Sequence, residues 1–277
     1  MRLQRFTLEN LRIEDERSYR HIGLYAELKR ALVRDHVTFL VPKPGTPEAR
    51  WDRALFLNLT FWSPDQPGDV LDSDAIPADV VMHAGWHHVT RRALDALGAT
   101  ASQSPDALLL GESIASAFDL YLVGRLLGHA PDAAFLETQV PAMAEAALQA
   151  GMPEDAFEAM LDEVSRDPDK AFEDLRELLF DASTTLVRAP SVEEAAERIA
   201  RFDTHRFGPL LHHYELSTWI LYARAYAKDA GAPDPQVMAV DATIRRADVA
   251  LDWLEKHWIY GLSGDPGGPD DREVLPR

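Results

Sequence analysis

The spacing of apolar residues divides the chain into a short, strand-rich start and a long helical remainder. Residues 1–14 have the pattern of a strand or an extended arm, and residues 15–34 repeat apolar positions at helical steps of three and four. The β-branched run 36–42 and the apolar segment 54–62 are both typical of strands. These segments predict a small N-terminal sheet of two or three strands, with a hairpin between the last two.

Every segment after Pro77 has helical periodicity. Ser, Asp and Pro residues stand where helices are expected to begin, and Gly98, Gly128, Gly151 and Gly231 stand where helices are expected to end. The sequence predicts helices near residues 78–97, 105–128, 132–150, 153–166, 169–182, 191–202, 207–230 and 234–261.

These patterns predict an α+β fold that is mostly α, in which a small N-terminal β-sheet or hairpin is followed by a multi-helix domain. The N-terminal helix and sheet would occupy residues 1–77 and the helical part residues 78–262, packed as one continuous domain. Residues 263–277 are rich in Gly, Pro and Asp, which predicts a disordered tail.

Charge and composition narrow the classes of partner. The chain has 46 Asp and Glu against 28 Lys and Arg, a net charge of -18, which argues against binding nucleic acid or an anionic membrane. The sequence has no apolar run close to 18 residues and no secretion signal at its start, so we expect a cytoplasmic protein that does not span a membrane. With no cysteine, any metal must be held by His, Asp and Glu.

The helix predicted at 78–97 carries two histidines, His83 and His87, on one face, because they are four residues apart. The helix is apolar on nearly every side, which predicts burial. Buried imidazoles need partners, and a metal ion or a hydrogen-bonding group could serve. Gly85 in the middle of the helix suggests that another element packs closely there.

The next predicted helix carries Glu112 and Asp119 on a face that is otherwise apolar or small. Buried carboxylates need a cation or hydrogen-bond donors. Glu112 could fold back to face His83 and His87, and Asp119 could orient a histidine. The alternative is that both carboxylates pair with arginines, namely Arg91, Arg92 or Arg125.

The segment DVVMHAGWHHV followed by GESIASAFD, within residues 54–125, resembles the zincin metallopeptidases and is most similar to the gluzincin group. That group has an HExxH motif and a third zinc ligand, a glutamate, on the following helix. The resemblance implies a zincin-like fold, His83 and His87 as the two histidine ligands, and Glu112 as the third. It implies a divalent metal, zinc before iron, and a peptide or small-molecule substrate.

The sequence departs from this motif directly after His83. Residue 84 is Ala84, where the family has the glutamate that takes a proton from the metal-bound water. Either another residue handles the proton, or the chemistry is not peptide hydrolysis, or the site binds without turnover.

A second cluster lies in the helix predicted at 207–230. His212 and Glu215 are three residues apart and are the candidate catalytic residues, since the family resemblance implies that late helices supply a Tyr or His near the developing oxyanion. For His213 and Tyr214 we favour a structural interpretation, with aromatic residues in the core and His213 exposed.

Three functions follow from these observations. The first is a divergent metal-dependent hydrolase with a mononuclear His/His/Glu site. The second is a degenerate, non-catalytic interaction protein of zincin fold. The third is a helical His/carboxylate oxygenase, whose di-iron centre would use Glu112, His212, Glu215 and residues around Glu137, although the chain has no Glu-x-x-His motif.

Overall fold

The computed structural model describes residues 3–43, 69–98, 104–226 and 231–261. The fold is mostly helical with a small N-terminal sheet component, as the sequence predicts. The predicted strand 54–62 and the predicted tail 263–277 lie outside the described residues, so both stay predictions.

The strands near the N-terminus form two separate pairs. β1 (Leu3–Thr7) pairs with β3 (Thr38–Pro42) in antiparallel register, with Thr7 opposite Thr38. β2 (Arg12–Glu14) pairs with β4 (Ala75–Pro77) in parallel register. The predicted strand in 36–42 is therefore confirmed. It pairs with β1, and its Leu40 also forms an isolated parallel bridge with Val70.

The helices account for most of the described chain. Their bounds are α1 Glu16–Tyr19, α2 Gly23–Arg34, α3 Ala78–Asp95, α4 Pro105–Leu127, α5 Ala134–Gln149, α6 Glu154–Arg166, α7 Pro168–Val187, α8 Val192–Ile199, α9 Leu216–Tyr226, α10 Pro235–Ile244 and α11 Ala250–Leu254. A 3-10 helix, Gly208–Tyr214, precedes α9, and a π-helix, Glu255–Tyr260, continues α11.

The predicted helices between residues 78 and 202 are confirmed to within a few residues, except that α7 continues to Val187. The last two predicted helices, 207–230 and 234–261, were wrong, because neither is continuous in the structure. The predicted helix 207–230 is interrupted at Glu215, whose φ of 47° lies in the left-handed region that an α-helix cannot include. The predicted helix 234–261 breaks after Ile244 and resumes at Ala250.

The centre of the fold is α4, which packs against α3, α6 and α7. By length and composition alone α4 is apolar enough to cross a membrane, but 83% of its most apolar 18-residue window is buried inside the protein, as in a core helix. Ser104 caps its start by accepting a hydrogen bond from the backbone N–H of Ala107 (3.1 Å).

Helix α3 lies between α2 and α4. On one side it meets α2 closely, since a Cβ placed on Gly85 would lie 2.9 Å from Cβ of Leu28. On the other side Trp86 meets Phe118 of α4 edge to face, with ring centroids 5.4 Å apart and both side chains fully buried. The close approach predicted from Gly85 is confirmed. The contact between Trp86 and Phe118 joins α3 to α4 at the level of the two histidines.

Candidate metal centre

His83 and His87 project from adjacent turns of α3 and converge at their outer ring nitrogens. The two Nε2 atoms are 3.1 Å apart, and the ring planes are inclined by 61°. The four-residue spacing produces this arrangement, because one helical turn places such residues on the same face.

Glu112 reaches the same point from α4. Its Oε2 is 3.6 Å from Nε2 of His87, and one ligand atom from each of His83, His87 and Glu112 lies within 4.8 Å of the others. Ligand atoms bound at ~2.0–2.2 Å around a tetrahedral ion are themselves about 3.3–3.6 Å apart. This donor set could therefore hold a divalent metal ion, and the predicted approach of Glu112 to the two histidines is confirmed.

Asp119, two turns after Glu112 on α4, fixes the orientation of His83. The Nδ1–H of His83 donates to Oδ2 of Asp119 at 3.0 Å, which leaves Nε2 directed at His87. A histidine that ligates a metal through one nitrogen commonly donates its other N–H to a carboxylate in this way.

Two of the three arginines proposed as alternative partners, Arg92 and Arg125, have other contacts. Arg92 donates to Asp35 at 2.7 Å, and Arg125 donates to the hydroxyl of Tyr121 at 3.3 Å. The ion pairs of Glu112 and Asp119 found in the described structure are with histidines.

The three candidate ligand side chains are partly exposed to solvent. The side chains of His83 and His87 are 33% and 32% exposed and that of Glu112 is 20% exposed. A ligand set closed on all sides is typical of a structural metal, whereas a catalytic metal keeps an open position. The partial exposure here is compatible with the second kind.

The protonation equilibria of the cluster are strongly perturbed. Burial favours the neutral ring of His83, but the charge and hydrogen bond of Asp119 and the charge of Glu112 outweigh it and raise the pKa of His83 to about 9. Burial, followed by the neighbouring charge of His83, lowers the pKa of His87 to about 4. Burial raises the pKa of Glu112 to about 7. Such opposed shifts among adjacent groups are concentrated at functional sites.

Ala84 follows His83 on α3 and belongs to the buried core, with 6% of its surface exposed. It has no group that could accept or donate a proton. Any proton transfer at this centre must therefore involve a residue from another position.

His212 and Glu215, the predicted catalytic residues, are both exposed. The prediction that both lie in one continuous helix was wrong, because the 3-10 helix ends at Tyr214 and the backbone of Glu215 turns into the left-handed region. The structure gives no contact between these two side chains and the ligand cluster within the described residues. Their catalytic role stays a prediction.

The charge of Asp119 acts on the pKa of the two intervening residues, His213 and Tyr214. Burial lowers the pKa of His213, and the charge of Asp119 opposes that shift. Burial and then the charge of Asp119 raise the pKa of Tyr214 above its usual range. The two rings meet edge to face at 4.9 Å, and Tyr214 is buried. The packing expected for Tyr214 is confirmed, whereas His213 is partly buried rather than exposed.

The di-iron arrangement is not assembled in the described chain. His212, Glu215 and Glu137 are all exposed, and none of them belongs to the group of ligand atoms around Glu112. Among the described residues, the group that could hold a metal ion is His83, His87 and Glu112.

Sequence reasoning missed two carboxylates near the centre. The charge of Asp69 raises the pKa of both His83 and His87. Asp79, in the first turn of α3, has its own pKa raised to about 6 by burial and then by the charge of Asp119. Asp79 lies one turn before His83 on the same helix, and this spacing was the signal available in the sequence.

Comparison of the chain with protein-family models, with curated proteins and with solved structures finds no match in any of the three. The similarity to gluzincins, the zincin-like fold and the choice of zinc stay predictions from the motif residues.

Proposed function

We propose that this protein is a divergent metal-dependent hydrolase that holds one divalent ion through His83, His87 and Glu112. The observation that carries the proposal is the convergence of the three ligand atoms from α3 and α4, with Asp119 bonded to the far nitrogen of His83. Zinc is the metal we propose, because two imidazoles and one carboxylate with an open position form a common catalytic zinc set.

The residues of the chain have separable tasks in this proposal. His83, His87 and Glu112 bind the ion, and Asp119 holds the ring of His83 in the tautomer whose Nε2 is free. A divalent ion at this position would lower the pKa of a coordinated water to ~7 and polarise a substrate carbonyl.

Proton transfer has to come from a residue at another position, because Ala84 cannot perform it. We propose His213 for this task in preference to His212, since His213 is partly buried against the ring of Tyr214 whereas His212 is exposed. The charge of Asp119 also opposes the lowering of the His213 pKa by burial. Substrates would be peptides or small molecules with a hydrolysable carbonyl.

Metal analysis of purified, metal-repleted protein tests the proposal. We expect about one equivalent of zinc per chain, and loss of most of it in His87→Ala and in Glu112→Gln. His212→Ala is the matched control, because this exposed histidine lies outside the ligand group. Wild-type protein that retains no divalent metal would refute the proposal, as would equal metal content in all four proteins.

A second candidate function, a mononuclear iron oxygenase, is favoured by the same donor set. Two histidines and one carboxylate with open positions are also the ligands of non-haem Fe(II) oxygenases. Iron in the native protein together with oxygen consumption in the presence of Fe(II) would select this function. Zinc content without oxygen consumption would select the hydrolase.

Ala84 also favours a non-catalytic protein of zincin fold. The variant Ala84→Glu distinguishes this function from the active hydrolase. If the site is a degenerate metallopeptidase, Ala84→Glu should gain hydrolysis of a generic peptide substrate that the unmodified protein does not cleave. Turnover by the unmodified protein would exclude the non-catalytic function. Because Ala84 is buried, the circular dichroism and metal content of the variant must match those of the wild type.

A further inference from the structure

A surface cavity of about 380 Å³ lies beside the C-terminal end of α7, formed with α8 and the start of α10. Arg188, Arg198 and Arg201 line it, with Glu194 as their acidic neighbour. This concentration of arginine is unusual in a chain whose net charge is -18. None of the described residues that line the cavity belongs to the candidate metal centre.

Arg188 is held rigidly by three groups. It donates to the backbone carbonyls of Thr184 (3.1 Å) and Gly231 (3.0 Å) and to Oδ2 of Asp106 (2.7 Å), a carboxylate that is 1% exposed. The positive charge of Arg188 is therefore fixed in position and balanced by Asp106.

Arg198 is held in the same manner from α8. It donates to the carbonyl of Thr185 at 2.9 Å and forms an ion pair with Glu194, one turn before it. Its side chain is only 22% exposed. Its charge is therefore also fixed in position, and Glu194 balances it in the absence of a ligand.

Arg201 is different, because it is exposed and forms no ion pair or hydrogen bond with any residue that the structure describes. The hydroxyl of Thr185 likewise has no hydrogen bond there, although it lines the cavity. Among the described residues, the lining of the cavity thus includes one arginine without an ion pair, one hydroxyl without a hydrogen bond, and two immobilised guanidinium groups. An anionic group would neutralise the first and accept from the second.

The remaining wall is apolar. Pro233 and Met238 line it, and Met238 is one of the few large apolar side chains left exposed, at 36%. The volume is in the range of cavities that bind small organic molecules and exceeds that of an inorganic anion.

We propose that this cavity binds a small organic anion, whose carboxylate or phosphate group contacts Arg201, Arg198 and Thr185 and whose apolar body lies against Pro233 and Met238. Guanidinium groups recognise both anions through charge-assisted hydrogen bonds. The site is independent of the proposed metal centre.

Calorimetric titration of the full chain with benzoate, phenyl phosphate and inorganic phosphate tests the proposal. We expect saturable binding of benzoate or phenyl phosphate, and the tighter of the two identifies the anionic group. Arg201→Gln and Thr185→Val should each weaken binding, Arg201→Gln by about tenfold or more, since a hydrogen bond to a charged group is lost.

Arg166→Gln is the matched control. It removes the same charge from an exposed arginine beside the opposite end of α7, about 27 Å away at 1.5 Å per residue, and should leave binding unchanged. Equal binding by wild type and Arg201→Gln would overturn the proposal, as would the absence of saturable binding by any probe at millimolar concentration. Binding of inorganic phosphate as tight as that of phenyl phosphate would overturn the role of the apolar wall.

Discussion

The hydrogen bond from His83 to Asp119 is the contact outside the ligand set on which the candidate centre most depends. In the neutral ring it selects the tautomer whose Nε2 can bind a metal, so the proton that the raised pKa keeps on Nε2 at neutral pH has to leave when a metal binds. It also compensates the charge of the partly buried Asp119, so one contact serves both the ligand geometry and the partial burial of this carboxylate.

We predict that Asp119→Asn weakens metal binding by about 10–100-fold, because the amide removes the negative charge and no longer specifies the tautomer of His83. Competition with a chelating dye measures the dissociation constant. Asp95→Asn, at an exposed aspartate near the end of α3, should have no effect. Unchanged affinity in Asp119→Asn would show that the contact is incidental.

A second carboxylate, Asp35, links the end of α2 to α3 and should make the fold sensitive to acid. It accepts hydrogen bonds from Arg34 (2.9 Å), His88 (2.7 Å) and Arg92 (2.7 Å). The Arg34 hydrogen bond, against the effect of burial and with the help of His88 and Arg92, holds the pKa of Asp35 well below its usual range.

A carboxylate with a depressed folded-state pKa stabilises the fold above its unfolded pKa of ~3.9 and loses that contribution as the pH falls below it. We therefore predict that Asp35→Asn lowers the free energy of unfolding by about 1–3 kcal/mol at neutral pH, and by less at a second pH below the unfolded pKa of ~3.9. Urea unfolding of both proteins at the two pH values measures this. A difference that is independent of pH would contradict the predicted titration.

At the level of elements, the approach of α2 to α3 depends on Gly85. The ideal Cβ of an alanine there would lie 2.9 Å from Cβ of Leu28, which is closer than packed carbon atoms approach, and Cβ cannot rotate away. The two helices would have to separate.

We predict that Gly85→Ala destabilises the fold by about 1–2 kcal/mol, since overpacking at so short a distance costs about 2–3 kcal/mol and the better helix propensity of alanine returns about 1 kcal/mol. Gly23→Ala, at the start of α2, is the control, because nothing lies within 4 Å of a Cβ there. Thermal unfolding compares the two variants. A Gly85→Ala protein as stable as the wild type would show that α2 and α3 can adjust freely.

The element that sequence reasoning misjudged most is the segment around Glu215. Its apolar spacing is helical on both sides, but Glu215 adopts φ 47° and the chain changes direction. This one residue interrupts the predicted helix that carried His212 and Glu215, and the charge of Asp119 acts to raise the pKa of the intervening His213 and Tyr214.

At the scale of the whole molecule, a buried ion pair attaches the C-terminal helices to the core. Asp241 of α10 accepts from Arg176 of α7 at 2.5 Å and from Arg245 at 2.7 Å. Arg176 is fully buried and Asp241 is 4% exposed, and the other acidic group paired with Arg176, Glu177, is more distant at 3.7 Å, so Asp241 is the main compensation for the buried charge.

We predict that Asp241→Ala costs about 3–5 kcal/mol of unfolding free energy, because it leaves the charge of Arg176 buried without its partner. The double variant Arg176→Met with Asp241→Leu should be clearly more stable than Asp241→Ala, because it removes both buried charges. Denaturant unfolding of the two variants measures the difference. A double variant as unstable as the single one would show that the loss comes from packing rather than from an unpaired charge.

Local periodicity was sufficient to predict most helices, the strand in 36–42 and the shared face of His83 and His87. Each of these features depends on residues within a few positions of one another, so the spacing of side chains in the sequence specifies them directly. The absence of cysteine likewise restricts any metal ligands to histidine and carboxylate side chains, whatever fold the chain adopts.

Contacts between distant parts of the chain were decided by the tertiary structure. The 3.6 Å between His87 and Glu112 depends on how α3 packs on α4, and the pairing of β1 with β3 joins segments about 30 residues apart. The left-handed turn at Glu215 and the approach of Asp69 to the histidines also have no local periodic signal. Such contacts are set by the combined packing of several helices and strands, which the spacing within one segment does not encode.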